Sequence, residues 1–172
     1  MRYIVLLRGV NVAGKNKLPM AELRANLEQA GFKEVKTYIQ SGNIGLDTED
    51  DAESIKQKIE QILLHTYGYE VPVLVLLRSS LKVILEAHSF FTEDQKFLHF
   101  TFLHELPSKE LVQKMESLEI ANEYFKCLDS CVYLFLPNGY GRAKLVNGFI
   151  ERQLKVSATT RNYKTVLKLL DL

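Results

Sequence analysis

Residues of the kinds that hold phosphate groups follow the first apolar run of the sequence. Gly9 and Gly14 stand five positions apart in RGVNVAGKNK, and Lys15 comes directly after the second glycine. This spacing satisfies the P-loop pattern except at its last position, where Asn16 replaces a serine or threonine. Such glycines let backbone amides approach a phosphate, and the lysine supplies positive charge.

The residues after Lys15 argue against a P-loop. In a P-loop the helix begins at Gly-Lys, so that its first amides face the phosphates. Pro19 lacks an amide proton and disfavours helical angles at the residue before it, so we expect the helix to begin at Pro19. Asn16 is also a poor substitute for the hydroxyl that holds magnesium. We therefore interpret the segment as a glycine-rich loop that carries Arg8, Lys15 and Lys17.

Two polar stretches near the end of the sequence also contain basic residues that could bind an anion. NGYGRAKL places Arg142 and Lys144 after a pair of glycines, and SATTRNYKTV contains Arg161. We expect Thr159 or Thr160 to cap the last helix, whose free amides would then form an anion site beside the arginine. A purely structural role for these residues, with the arginine paired to a carboxylate, is the alternative.

The first half of the sequence predicts the strands and helices that position the opening loop. Strands are predicted at 2–8, 35–40, 43–48 and 70–77, and helices at 19–31 and 51–68. The order strand, helix, strand, strand, helix, strand is that of a ferredoxin-like unit. In this unit the loop after the first strand and the hairpin QSGN open at the same end of the sheet. The turn HTYGYE adds Tyr67 and Tyr69 at that end.

The second half repeats this order after a linking helix at 79–88. Strands are predicted at 96–104, 123–128 and 131–137, and helices at 108–119, 146–155 and 161–172, with no closing strand. The predicted fold is therefore α+β, with two ferredoxin-like halves forming one compact body. The second half lacks its last strand and ends in helices. The predicted boundaries are 1–78 for the first half and 79–172 for the linking helix and the second half.

Composition excludes several classes of protein. The 172 residues carry a formal net charge of +1, which supplies no general field for nucleic acid or a membrane. No apolar run approaches the roughly 18 residues of a membrane span, so we expect no membrane partner and a cytoplasmic location. Cys127 and Cys131 would lie diagonally on a hairpin, which disfavours a disulfide, and the four histidines have no zinc-like spacing, so no metal site is predicted.

Four motifs resemble those of a known family. RGVNVAGKNKLPM, TYIQSGN, GYGRAKL and ATTRNY occur in this order, and the chain resembles the bacterial domain of unknown function 1697 family. It departs from the family pattern at Ala13, where that pattern has glycine, and at Tyr163, where it has tryptophan. The resemblance implies a two-part α+β fold and brings no agreed activity, cofactor or catalytic residues.

The function that these motifs favour is binding of a small anionic ligand, such as a nucleotide or a phosphorylated metabolite. The candidate ligand-binding residues are Arg8, Asn11, Lys15, Lys17, Gln40, Ser41, Asn43, Arg142, Lys144, Thr160, Arg161 and Asn162. That the motifs of both halves share one site is a further hypothesis. The motifs do not decide whether the protein also converts this ligand. No histidine lies in the four motifs, although Tyr38 and Tyr140 could act as acids.

Two alternatives of other classes stay open. RNA-recognition modules with ferredoxin-like sheets stack bases on exposed aromatic side chains, and Tyr133 and Phe135 are the nearest match here. A dimer or partner surface could instead be formed by aromatic residues of the second half. The candidates for that surface are Phe90, Phe91, Phe97 and Phe102.

Overall fold

A computed structural model of the chain describes residues 1–88, 90 and 94–172. Within these residues the chain forms eight strands and six α-helices, which belong to two units. The first unit contains Met1–Val83 and Lys168–Leu172, and the second contains Ile84–Leu167. The α+β class predicted from the sequence is confirmed.

The first unit has the predicted order of elements. They are β1 (Arg2–Leu7), α1 (Met20–Gln29), β2 (Lys33–Tyr38), β3 (Asn43–Asp47), α2 (Ala52–Tyr67) and β4 (Val73–Leu77). The strands form an antiparallel sheet in the order β2-β3-β1-β4. This strand order is consistent with a ferredoxin-like unit.

Local sequence signals account for the helices of the first unit. Pro19 is the extended residue before α1, and the buried Leu23 and Leu27 then recur at helical spacing. The carboxylate of Asp51 accepts a hydrogen bond from the Ser54 amide at 2.8 Å and caps the start of α2. Both helices pack their apolar faces onto the same core as β1 and β3.

The second unit repeats the arrangement. Its elements follow α3 (Arg78–Glu86) and are β5 (Leu98–Leu103), α4 (Lys109–Glu116), β6 (Tyr124–Leu128), β7 (Cys131–Phe135), α5 (Asn147–Leu154), β8 (Ala158–Asn162) and α6 (Tyr163–Leu169). The antiparallel sheet has the order β6-β7-β5-β8, the same as in the first unit. Its core includes Met115, Val132, Leu134, Ile150 and Leu154.

The prediction that the second half lacks its last strand is wrong. Ala158–Asn162 forms β8 and pairs with β5, with Thr101 opposite Thr160. Polar residues fill this strand because it lies at the edge of the sheet, so it lacks the apolar pattern on which the prediction relied. The predicted helix cap is also wrong, because the threonines lie in β8 and the side chain of Asn162 accepts from the Thr165 amide at 2.8 Å instead.

The hairpin between β6 and β7 matches its prediction. Leu128 lies opposite Cys131 and Cys127 opposite Val132, so the two cysteines are diagonal. Asp129 takes the left-handed conformation, with φ 48°, that such a short turn requires. Both thiols are free.

Candidate functional site

The opening loop, residues 8–19, repeatedly takes the left-handed backbone conformation. The φ values are 71° at Gly9, 54° at Asn11, 49° at Ala13, 77° at Gly14 and 47° at Asn16. Left-handed conformations cost a non-glycine residue roughly 1–2 kcal/mol and recur at ligand-binding loops. Alternation of left-handed and other conformations also directs neighbouring amides to one side, which forms an anion-binding concavity. The loop therefore carries several strained backbone conformations of a kind that recurs at ligand-binding sites.

The side chain of Asn11 holds this loop in place. Its oxygen accepts from the Leu18 amide at 2.8 Å, and its nitrogen donates to the Leu18 carbonyl at 2.9 Å and to the Gln40 carbonyl at 2.8 Å. Asn16 adds a bond from its side-chain nitrogen to the Gly9 carbonyl at 3.1 Å. Asn11 thus holds the loop against the β2–β3 hairpin through the hydrogen bonds of its side-chain amide.

Gly42 brings the hairpin against the end of β1. Its carbonyl accepts from the Leu7 amide at 2.8 Å, and its φ is 75°. A Cβ at this position would lie 2.6 Å from Leu7 Cβ and 2.7 Å from Val10 Cγ2, closer than packed carbon atoms approach. The predicted proximity of the opening loop and the hairpin is therefore confirmed, and the glycine of QSGN is required for it.

The polar residues of the hairpin differ in their roles. Asn43 is fully buried, and its side-chain nitrogen donates to the Tyr38 carbonyl at 3.1 Å and to Ser41 Oγ at 2.8 Å. The Gln40 side chain is exposed. Asn43 therefore shapes the turn, whereas the side chain of Gln40 faces solvent.

The positively charged side chains of the opening loop differ in their exposure to solvent. Lys15 and Lys17 are exposed, and Arg8 is partly buried at the end of β1. α1 begins at Met20, five residues after Lys15, so its first amides do not follow Gly-Lys as they would in a P-loop. The structure confirms that this loop is not a P-loop.

Tyr67 and Tyr69 contribute mainly to packing. Their rings stack with centroids 6.4 Å apart and lie against the core of the first unit. The Tyr67 hydroxyl accepts from the side chain of Asn26 at 2.8 Å, and burial raises the pKa of this tyrosine.

A chain of polar side chains connects the two C-terminal motifs in the second unit. The amide of Asn147 donates to the Tyr140 hydroxyl at 2.9 Å, and its side-chain nitrogen donates to the Ala158 carbonyl at 3.0 Å. Thr160 Oγ1 donates to Asn147 Oδ1 at 2.9 Å. Because this uses the only proton of that hydroxyl, Thr101 is the donor in its 2.9 Å bond with Thr160. The segments GYGRAK and TTRN therefore meet through Asn147.

His99 on β5 joins this group. Its ring stacks on that of Tyr140 with centroids 5.1 Å apart, and its Nδ1 lies 3.2 Å from the Phe97 carbonyl. Burial lowers the pKa of His99 below its ordinary value of 6.5, although the bond to Phe97 opposes this shift. The folded protein therefore favours the neutral form of this imidazole.

Arg161 follows Thr160 on β8, and strand alternation directs its side chain to the sheet face opposite that of His99 and Thr160. It lies on β8 opposite Phe100, and its guanidinium donates to the Thr160 carbonyl at 2.9 Å. Burial lowers the pKa of Arg161 to about 10, and interaction with Tyr140 opposes the shift. The guanidinium still carries its proton at neutral pH.

The remaining predicted residues of the second unit are less involved. Arg142 is exposed at the end of a short 3-10 helix, and Asn162 caps α6. The amide of Lys144 donates to the Glu123 carboxylate at 2.7 Å, and its Nζ lies 5.5 Å from the ring centroid of Phe149.

Comparison with known proteins gives the family of the chain. Residues 1–133 match the family described as a protein of unknown function, DUF1697. The chain belongs to this family. It is also similar to a solved structure, that of a conserved bacterial protein from Streptococcus pneumoniae. The two chains are 27% identical, the match covers 99% of this chain and 97% of that one, and the TM-score is 0.78. No curated protein matches the sequence.

The backbone conformation at Ala13 bears on one departure from the pattern that the sequence resembles. Ala13 stands where the pattern has glycine, and its φ is 49°. Glycine adopts this conformation without steric cost, whereas alanine is strained there. The backbone of the opening loop therefore favours glycine at this position.

His99 was not predicted from the sequence to belong to a polar group. His99 lies between the four motifs in FLHFTFLHE, and only the pairing of β5 with β8 brings it beside the C-terminal motifs. His104 is a second case, because its Nε2 lies 2.9 Å from Thr159 Oγ1. Although a base beside a hydroxyl suits nucleophilic catalysis, Thr159 is only 2% exposed, so a substrate cannot reach it.

The described aromatic residues of the alternative functions are either buried or partly buried. Tyr133 is 3% exposed, and its hydroxyl donates to the Ile84 carbonyl at 3.1 Å, so its ring offers no face for stacking a base. Phe102 is buried, while Phe90 and Phe97 are partly buried. Phe91 lies outside the described residues.

Within residues 1–88, 90 and 94–172, no helix is both long enough and apolar enough to cross a membrane. Those same ranges contain no group of three or more histidine, cysteine, aspartate or glutamate side chains that could hold a metal ion.

Proposed function

We propose that the protein binds a small anionic ligand, such as a nucleotide or a phosphorylated metabolite, at the opening-loop rim. This rim consists of residues 8–17 together with Gln40 and Ser41. The observation that carries the proposal is the series of five left-handed residues between Gly9 and Asn16, on a loop that also exposes Lys15 and Lys17.

The residues of the rim have two roles in this proposal, because some position the loop and others bind the ligand. Asn11 and Asn43 use their side-chain amides to hold the loop and the hairpin, as their hydrogen bonds indicate. Lys15 and Lys17 supply the charge that draws an anion. Loop amides other than those of Asn11 and Lys15, which donate to the Asn16 and Val12 carbonyls, are the candidates for directed donors. An anion of phosphate size matches this combination, because it accepts several hydrogen bonds at once.

The rim residues are all within the first unit, so the proposal needs no contribution from the second. A site shared with the GYGRAK and TTRN segments remains a separate hypothesis. It predicts that substitution of Arg161 weakens the same ligand as substitution of Lys15.

Thermal unfolding in the presence of candidate ligands tests the proposal. The panel consists of AMP, ATP, glucose 6-phosphate, citrate and a short RNA. A ligand present at 100 times its dissociation constant adds about 2.7 kcal/mol to the free energy of unfolding. We expect one small anion to stabilise the parent protein and to lose this effect in the Lys15→Ala and Lys17→Ala double variant.

Lys33→Ala provides the matched control. Lys33 is an exposed lysine at the start of β2 in the same unit, so its removal changes the net charge without altering the rim. Stabilisation that survives the double variant, or that Lys33→Ala also abolishes, contradicts the proposal. Stabilisation by RNA alone favours the nucleic-acid alternative.

A further inference from the structure

The tip of the opening loop is a two-residue hairpin turn. The Lys15 amide donates to the Val12 carbonyl at 2.9 Å, and these two residues form an antiparallel bridge. Ala13 and Gly14 between them have φ values of 49° and 77°, and a type I′ turn requires a positive φ at both central residues. Residues opposite each other in an antiparallel pair project their side chains to the same side. The side chain of Val12 therefore lies beside that of Lys15.

Two exposed aliphatic side chains accompany the lysines of the opening-loop rim. Val12, at the tip of the loop, is 57% exposed, and Ile39, in the turn between β2 and β3, is 51% exposed. The side chain of Asn11 donates to the Gln40 carbonyl at 2.8 Å, so the sequence neighbours of Val12 and Ile39 are in contact. The rim thus presents apolar surface from two segments as well as positive charge.

The backbone of Ile39 is strained. Its φ is 51°, in the left-handed region, where a β-branched residue is a genuine outlier. Because about half of this residue is exposed, packing recovers only part of the cost. Asparagine adopts the same conformation more readily, so stability alone does not account for an isoleucine in this turn. Strain of this kind clusters at ligand-binding sites, which points to a role of the Ile39 side chain in binding.

We propose that the opening-loop rim takes a nucleotide rather than a sugar phosphate, with Val12 and Ile39 against the face of the base. This rests on the proposed function, because Lys15 and Lys17 hold the phosphate group. A nucleotide base has a broad, weakly polar face that covers aliphatic side chains, whereas a sugar phosphate presents hydroxyl groups to them. Apolar side chains beside a few polar groups are the usual lining of small-molecule sites. No covalent bond forms or breaks.

A preference for the nucleotide over its sugar phosphate is the signature of such a site. The two compounds share the phosphate and the ribose, so the lysines contribute alike to the binding of both. A tenfold preference requires about 55 Å² of apolar surface to leave the solvent, at about 25 cal/mol per Å². Two aliphatic side chains that are each about half exposed can supply this area. The rim should therefore bind AMP at least tenfold more tightly than ribose 5-phosphate.

The test is calorimetric titration of the full-length protein with AMP and with ribose 5-phosphate, at pH 7 and constant ionic strength. We expect the tenfold preference for AMP, and the Lys15→Ala and Lys17→Ala double variant should weaken both compounds. Equal affinities that are both lost in the double variant overturn the choice of a nucleotide and leave the anion site in place. Binding that survives the double variant contradicts the anion site as well. Binding of neither compound also overturns the choice of a nucleotide.

Ile39→Asn separates contact with the base from a structural role. Asparagine tolerates the left-handed conformation, so this variant should unfold at a higher denaturant concentration than the parent protein. AMP should nevertheless bind about fivefold more weakly, while the affinity for ribose 5-phosphate stays unchanged. Val12→Thr keeps the branched shape of the side chain and should weaken AMP about threefold. An unaltered preference for AMP in Ile39→Asn contradicts the proposal.

Two matched controls lie elsewhere in the first unit. Glu34 is an exposed residue of β2 with φ 48°, so Glu34→Asn should also raise the stability but leave the preference for AMP unchanged. Leu64→Gln removes an exposed leucine from α2 and should likewise leave the preference unchanged. Loss of the preference in either control would show that it does not depend on Val12 and Ile39, and would overturn the proposal.

Discussion

The side-chain nitrogen of Asn11 donates a hydrogen bond to the backbone carbonyl of Gln40 at 2.8 Å. This bond joins two segments that are 29 residues apart in the sequence. The same side chain also bonds both backbone polar groups of Leu18, so one residue fixes the end of the opening loop and its position against the hairpin. The placement of Lys15 and Lys17 depends on this arrangement.

Removal of the Asn11 side chain should destabilise the first unit strongly. Asn11→Gly keeps the left-handed backbone favourable and removes three hydrogen bonds, which is worth about 3 kcal/mol at roughly 1 kcal/mol each. Asn16→Gly is the matched control, because it removes a single bond and should cost about 1 kcal/mol. Denaturant unfolding measures both values. Equal losses in the two variants would contradict the role assigned to Asn11.

Gly42→Ala should destabilise the protein by about 3 kcal/mol, through overpacking against Leu7 and Val10 together with strain at a φ of 75°. Gly68→Ala serves for comparison, because its φ is 72° but nothing lies within 4 Å of the added Cβ. The control should lose only about 1 kcal/mol. The difference in unfolding midpoint between these variants isolates the steric contribution. Similar midpoints would show that the close approach to β1 does not constrain the hairpin.

Ala13→Gly should stabilise the protein by up to about 1 kcal/mol, because glycine relieves the strain of a left-handed residue. The same substitution at Ala21, an exposed position in α1, should destabilise by about 1 kcal/mol. The two variants are thus expected to change the free energy of unfolding in opposite directions. A loss of stability in Ala13→Gly would argue against the conformation of the opening loop.

The stability of the protein should fall as the pH is lowered below about 6.5, and His99 should contribute to this dependence. Burial lowers the pKa of His99 in the folded state, so the unfolded chain binds more protons between the folded-state pKa and 6.5. The contribution is fully present above pH 6.5 and is lost as the pH falls through this window. His99→Gln should flatten the profile of unfolding free energy against pH. An unchanged slope would show that the ring titrates alike in both states.

The cysteines should react slowly in the folded protein. Burial, followed by the charge of Glu116, raises the pKa of Cys127 to about 11, and burial raises the pKa of Cys131 well above its ordinary value. Only about one Cys127 thiol in ten thousand is then ionised at pH 7, and the thiolate is the reactive form. Alkylation with iodoacetamide should be slow until denaturant is added. Rapid labelling of either cysteine in the native protein would contradict this burial.

The first unit could be predicted from its sequence because each element carries its own local signal. Leu23 and Leu27 mark a helical face after Pro19, and the glycine of SGN marks the turn between two strands. Topology then placed the hairpin beside the opening loop, and the contact between Asn11 and Gln40 confirms that placement. Local patterns were sufficient here because the segments are short and glycine or proline residues mark their ends.

The second unit was harder to predict because its decisive contacts are long-range. β8 is polar, so Thr160 and Arg161 resemble a helix cap in sequence and reveal their strand only through pairing with β5. The stacking of His99 on Tyr140 joins residues from different segments through that same sheet. No spacing within either motif could have predicted this contact. The hydrogen bonds by which Asn11 positions the opening loop were likewise not predicted, because they depend on the folded hairpin.

The measurement that tests the central claim most directly is an amide ¹H–¹⁵N titration of the full-length protein with AMP and, separately, with glucose 6-phosphate. Binding at the opening-loop rim predicts saturable shifts concentrated in the amides of residues 9–17 and 40–42 for at least one of these anions. The Lys15→Ala and Lys17→Ala double variant should abolish them. Saturable shifts confined to other residues, or no shifts with either anion, would contradict the proposed site.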